Sequence, residues 1–220
     1  VLYWLCKYVL IGPALARWLR VTADGVERLP RRGPVILAAN HLAEVDSLVL
    51  PLVSPRRLWF LAKSEYFTRP GPLGALTRWF FQATGQIPVD RGSGSSEPLR
   101  AAAEALAAGR ALVIYPEGTR SPDGRLYKGR SGLMRIAQLE PGAVIVPAAV
   151  IGTHLVNPPG TRRLSRGAVT VRFGEPLDPV ALVAAHGVRG ATEQVMAAIQ
   201  RLSGQEAVPR FAPRRKQTGR

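Results

Sequence analysis

The sequence predicts an α/β fold: a single domain with a mostly parallel central β-sheet flanked by helices. Three observations predict it. Short β-like runs alternate along the chain with helix-like ones, the order that builds parallel sheets through crossover helices. The run "ALVIYP" and its neighbours are almost continuously apolar, as strands buried on both faces are. A chain of 220 residues, 46% hydrophobic and 20% charged, fills one sizeable core and falls short of two ordinary domains.

The elements follow in order. Residues 1–20, "VLYWLCKYVLIGPALARWLR", are the most apolar stretch. Twenty helical residues would reach about 30 Å, just enough to span a bilayer. Lys7, the Gly12-Pro13 break and the Arg17/Arg20 pair argue against a clean span. Broken at Pro13, the segment reads as two short helices whose aromatics (Tyr3, Trp4, Tyr8, Trp18) and cations suit a lipid interface, a membrane-associating segment ahead of the domain. A spanning helix and an ordinary core helix are the alternatives. No small-residue cleavage site follows, so a signal peptide is not expected.

Over residues 21–204 the strand candidates are "PVILAAN", "RLWFLAK", "QIPVD", "ALVIYP", "VIVPAAVIG" and "VTVRFG". Between them lie helical candidates over 45–53, 73–84, 96–109, 131–139, 179–185 and 191–203. "GQIPVDRGSGSSEP" reads as a surface loop ahead of the helix "LRAAAEALAAG". Residues 205–220, ending in "RFAPRRKQTGR", read as a basic, disordered tail.

The net charge of +15 calls for an anionic partner: nucleic acid, an anionic membrane surface or a phosphorylated substrate. No aromatic-rich basic ribbon, zinc finger or helix-turn-helix pattern favours nucleic acid. The single cysteine, Cys6, excludes an intrachain disulfide framework, and with three histidines it leaves no Cys/His cluster spaced for structural zinc. A reducing, cytosolic compartment fits.

Two stretches carry chemistry. In "LAANHLAEVDSL" His41 stands just past the end of the strand "PVILAAN", where open parallel sheets place their ligands. Asp46 follows five residues on, about 140° away on a continuous helix, so the two side chains meet only if a turn separates them. With His41 in a loop and Asp46 in a first helical turn, the carboxylate can hold one ring nitrogen and leave the other as a base. Glu44 could do the same. The plain alternative is a histidine packed at a strand end.

The second stretch is "YPEGTRSPDGRLYKGRSG", residues 115–132, which leaves the same sheet edge. Gly118, Gly124, Gly129 and Gly132 let the backbone approach a ligand, and Arg120, Arg125, Lys128 and Arg130 supply cationic donors. It reads as a phosphate cradle and lacks the Walker pattern; a solvated turn is the alternative. His41, Asp46 and Glu117 could also form a metal site, which the cationic surroundings oppose. No metal is expected.

Together these segments resemble the glycerophospholipid acyltransferase family, of the 1-acyl-sn-glycerol-3-phosphate acyltransferase type. Four blocks match in order: "NHLAEVD" (N-H-x-x-x-x-D), "GQIPVDR", "YPEGTRS" ([FY]-P-E-G-T-R-S) and "IVPAAVIG". "RLPRRGPVILAANH" and "LAKSEYF" resemble it too. Ala43, where many members carry Ser, and Pro88, in place of a common aromatic, depart from it. The resemblance implies that His41 takes the proton from a free glycerol hydroxyl as it attacks an acyl thioester, with Asp46 orienting the imidazole. It implies substrate contacts at Arg91, Glu117, Gly118, Thr119, Arg120 and, on chemistry and rough placement, Lys128. For Glu117 two roles stay open, binding the glycerol or orienting Arg120. Lys63 could add charge at the mouth or be an ordinary surface lysine, Cys6 has no evident base, and His154 and His186 read as structural.

The implied activity is transfer of a fatty acyl group from acyl-CoA or acyl carrier protein to lysophosphatidate, giving phosphatidate. Glycerol 3-phosphate or another lysophospholipid is the alternative acceptor. It implies no cofactor beyond the donor, and a place on the cytoplasmic face of the inner membrane. The competing class is a basic, non-catalytic protein binding anionic lipid or nucleic acid.

Overall fold

The computed structural model describes residues 2–64, 67–68, 70–89, 97–159, 161 and 163–213, without the side chains of 63, 73, 80 and 83. The chain opens with α1 (Leu2–Leu5), a π-helical turn (Cys6–Leu10) and α2 (Gly12–Trp18), then β1 (Val21–Asp24) and β2 (Val35–Ala39). There follow α3 (Asp46–Val53), β3 (Leu58–Lys63), α4 (Gly71–Ala83), β4 (Gln86–Val89), α5 (Glu97–Ala107), β5 (Ala111–Ile114) and β6 (Leu126–Tyr127). The chain continues through α6 (Gly132–Leu139), β7 (Val144–Ile151), α7 (Thr153–Val156), β8 (Val169–Phe173), α8 (Pro179–Ser203) and β9 (Ala207–Val208).

The main sheet runs in the order β1-β8-β7-β2-β5-β3-β4. From β7 to β4 every pair is parallel; β8 lies antiparallel to β7 and parallel to β1. The expected mostly parallel sheet is therefore present, and each expected strand run is one of its strands. Alternation along β2 explains the two-sided burial: Val35, Leu37 and Ala39 join one core cluster, Ile36 and Ala38 the other. The first cluster lies under α2 and α3, through Leu15, Leu19, Val49 and Leu50; the second lies under α5, α6 and α8, through Leu106, Met134 and Val195.

Two prolines sit in the sheet without breaking it. Pro88 is on β4, an edge strand. Pro147 is on interior β7, but its carbonyl accepts from Gly174 N–H, on the β8 side. The N and O of a strand residue point the same way, so the missing N–H falls beyond the last β7–β8 pair, Ala148 with Phe173, and the ladder to β2 is intact.

Two expectations about the C-terminal part are corrected. The expected helices at 179–185 and 191–203 are joined in α8, with a kink at Gly187, whose φ of 65° suits glycine. Asp178 caps α8 by accepting from Val180 and Ala181 N–H. Residues 205–213 are not a solvated tail: β9 pairs in parallel with β6, and Val208 and Ala212 pack on Tyr127. Residues 214–220 lie outside the described residues.

The N-terminal segment is helical and interrupted at Ile11, with Pro13 in the first turn of α2 rather than at the break. One face packs on the domain: Tyr3, Leu15 and Leu19 are buried, and the Tyr3 hydroxyl accepts from Leu58 N–H. The other exposes Trp4, Leu5, Tyr8, Val9, Leu10, Ile11 and Trp18. Lys7 does not reach outwards as expected. Its ammonium donates to the Ser54 carbonyl, lies over the Trp4 and Tyr8 rings, and is pushed down to about 8 by burial. No helix among the described residues is long and apolar enough to cross a membrane.

Candidate active site

The neighbouring strands β2 and β5 end side by side, and the loops leaving them carry His41 and residues 115–131. α3 begins at Asp46, leaving 41–45 as the turn that the five-residue spacing requires. The carboxylate reaches back: Asp46 Oδ2 lies 2.8 Å from His41 Nδ1 and accepts from the amides of Leu42 (2.7 Å) and Ala43 (2.9 Å). Asp46 is fully buried. A carboxylate only accepts, so in the neutral imidazole this contact selects the tautomer with the proton on Nδ1 and the lone pair on Nε2. The imidazole stacks on Tyr115 with centroids 3.9 Å apart and planes 11° from parallel. Burial pushes the Tyr115 phenol up, keeping it neutral, and its hydroxyl meets Ser47 Oγ at 3.2 Å.

Glu44, the other candidate partner for His41, instead pairs with Arg120, Oε1 to Nη1 at 2.6 Å. Its own amide and that of Val45 donate to Asn157 Oδ1, which pins the turn from the far side. Asn157 had no role in the sequence reading. Its signal, a lone Asn in "LVNPPG" more than a hundred residues away, is too weak to find.

Glu117 is the main correction. It is fully buried, and both oxygens accept backbone amides: Oε2 from His41 N–H and Oε1 from Tyr127 N–H, each at 3.0 Å. Its hydrogen bonds go to these two amides rather than to Arg120, and they brace His41 against β6. Burial pushes its carboxyl up to about 7, against the pull of the two amides. The His41 carbonyl is held as well, accepting from Ser121 N–H at 2.7 Å. With its oxygens so occupied, Glu117 does not converge with His41 and Asp46 as a metal ligand set.

The cradle's other candidate ligand residues are exposed or half-buried. Gly118 turns the chain at φ 75°, a conformation that favours glycine, and a Cβ there would lie 3.0 Å from the Arg130 side chain, which would have to shift slightly. Thr119 is half-buried beside it. Lys128 Nζ lies 3.5 Å from Glu193 Oε1 on α8. Arg125 contacts Asp123 and Glu206, and Arg130 lies over the Phe211 ring. The loop's cations are thus largely matched by acids of the same chain, which the spacing of basic residues alone does not reveal. Arg91 lies outside the described residues. Lys63 closes β3, its side chain also outside them, and His186 is exposed on α8, away from this cluster. His154, on α7, lies close to Gly124.

Asn40, just before His41, is fully buried and spans three segments. Its Oδ1 accepts from Val150 N–H, and its Nδ2 donates to the Val150 carbonyl and to Gln205 Oε1. These bonds fix the end of β2 from which the His41 loop departs.

The chain can be compared with known proteins on this geometry. The chloroplastic 1-acyl-sn-glycerol-3-phosphate acyltransferase of Arabidopsis thaliana is 29% identical over 72% of this chain and 44% of its own length. The lyso-ornithine lipid O-acyltransferase of Pseudomonas aeruginosa is 32% identical over 67% of this chain and 52% of its own. The chain spans about half the length of the curated relatives it matches. The crystal structure of the 1-acyl-sn-glycerophosphate acyltransferase PlsC from Thermotoga maritima superposes with a TM-score of 0.70 at 26% identity, covering 87% of this chain and 76% of that one. The Acyltransferase family model matches residues 20–151, which include His41, Asp46 and the whole "YPEGTRS" block. This chain therefore belongs to the Acyltransferase family.

Proposed function

We propose that this chain moves a fatty acyl group from acyl-CoA or acyl carrier protein to the free hydroxyl of a lysophospholipid, lysophosphatidate foremost, with His41 as general base. The observation that supports it most is the His41–Asp46 pair at the sheet's carboxyl edge, its Nε2 left for a substrate proton. The hydroxyl oxygen bonds to the thioester carbon, the C–S bond breaks, and the proton passes through Nε2 to the departing thiolate. The step needs no covalent acyl-enzyme and no cofactor beyond the donor. Purified protein assayed with lysophosphatidate, glycerol 3-phosphate and lyso-ornithine lipid, each with both donors, tests it; transfer to none of them sinks it and leaves the basic binding protein.

Arg120 is the phosphate clamp in this reading, supported by its place on the loop beside His41. Glu44 pairs with it, so an acceptor phosphate must compete with that carboxylate. A guanidinium grips phosphate by two parallel bonds and an ammonium cannot. Arg120→Lys is expected to raise the acceptor KM about tenfold while moving the donor KM less. An unchanged acceptor KM would remove Arg120 from the phosphate site.

The reading places the enzyme at the cytoplasmic face of the membrane, held by the apolar face of residues 4–18. Tyr8, Val9 and Leu10 are each more than half exposed and point away from the packed face. The triple change to serine is expected to weaken binding to phosphatidylglycerol vesicles at least tenfold, about what losing three partly buried apolar groups costs. The melting midpoint and the activity on a short-chain soluble acceptor should stay. Unchanged sedimentation with vesicles would sink the anchor.

A further inference from the structure

The C-terminal segment that the composition marks as a tail lies against the acceptor loop, outside the 20–151 stretch matched by the family. Gln205 bridges two parts of the site with one amide. Its Oε1 accepts from Asn40 Nδ2 at 2.7 Å, and its Nε2 donates to the Gly124 carbonyl at 2.6 Å. Beyond it the chain runs along the loop. Leu126 N–H donates to the Glu206 carbonyl, Lys128 N–H to the Arg210 carbonyl, and Phe211 lies under Arg130. The strand so formed, β6, contains Tyr127, whose amide holds the Glu117 carboxylate that in turn holds His41 N–H. Hydrogen bonds on either side of the β6 backbone therefore link residues 205–210 to the backbone of His41 and to the loop bearing Lys128.

We propose that Gln205 is a positioning residue, and that residues 205–212 form a strap setting the distance between the acceptor loop and the His41 end of β2. The proposal rests on the acyltransferase reading above. Physically, a Gly-rich loop has many backbone states, and two-residue β6 cannot hold its shape without a partner strand. β9 supplies that partner and Gln205 fixes its register, since one amide is spent on both the loop and Asn40. A loop so held presents its cations in one arrangement before the acceptor arrives, which lowers the ordering cost of binding. The turn 41–46 keeps its own bonds to Asp46, Asn157 and Ser121, so loss of the strap should weaken acceptor binding more than the chemical step.

The test uses the full chain with Gln205→Ala, which removes both bonds, and Gln205→Glu, which can still accept from Asn40 but cannot donate to Gly124. Both are expected to raise the acceptor KM, by about tenfold for Gln205→Ala. Turnover at saturating acceptor and the donor KM should stay within about twofold. Hydrogen exchange should quicken at residues 121–130 and not in β2 or β7. An unchanged acceptor KM overturns the proposal even if exchange quickens, because the strap is then only structural; so does a joint loss of turnover, both KM values and the melting transition. If wild type transfers to no acceptor, the acyltransferase reading fails on its own, while unchanged exchange at 121–130 in Gln205→Ala would refute the strap separately.

Discussion

His41→Ala is expected to lower turnover by at least about 10²-fold while the protein stays folded, since removing a positioned general base raises the barrier by about 3 kcal/mol or more. The fold survives because the links that place residue 41 are backbone links: its N–H to Glu117, its carbonyl to Ser121. Asp46 keeps the amides of Leu42 and Ala43 after the imidazole is gone. The Tyr115 ring loses its stacked partner, a modest cost at a partly buried position. His41→Asn separates proton transfer from packing: its amide can still donate to Asp46 but takes no proton, so it should be as inactive as alanine. Steady-state turnover beside a thermal melt decides it. A folded His41→Ala with near-wild-type turnover would overturn the base.

Much of this was legible in the sequence, and the failures have physical causes. Strands β2, β5 and β7 came from continuous apolar runs because burial on both faces leaves that mark, while β3, β4 and β8 came from short β-like runs that are buried only in part. β6 and β9 are two residues long, too short for any period, β1 is an edge strand with half of its residues exposed, and all three pair with partners distant in sequence: Val21 with Val169, Leu126 with Ala207. The tail's cations outweighed Val208 and Ala212, though those two pack. In the site, spacing put His41 and Asp46 together but could not choose Asp46 over Glu44. The choice follows from where α3 begins, with Asp46 facing the loop amides and Glu44 turned to Arg120. Glu117 was expected at the substrate because it matches the acid of the family's "YPEGTRS" block. Its burial depends on Tyr127 returning as β6, a contact no local pattern encodes.

Asp46→Asn is expected to cost less than His41→Ala, about 10- to 100-fold in turnover, and the difference isolates what the negative charge contributes. Three donors converge on Oδ2: the imidazole Nδ1 and two backbone amides. An asparagine with its NH2 turned towards them would set donor against donor, so the two amides force its oxygen into the Oδ2 position. That oxygen still accepts from Nδ1, and the tautomer with a free Nε2 is kept. What disappears is the charge facing the imidazolium that forms when the substrate hydroxyl gives up its proton. The NH2 then occupies the place of Oδ1, which is buried without a hydrogen-bond partner among the described residues, so some stability is lost as well. The decisive signature is in the kinetics at a temperature where both proteins are folded: turnover falls while the acceptor KM stays near wild type, because the charge acts on the proton in flight and not on the acceptor phosphate, which the proposal assigns to Arg120. A purely structural Asp46 would give the opposite pattern, a lowered melting midpoint with turnover intact below it, and that result would leave His41 without its partner in the reaction.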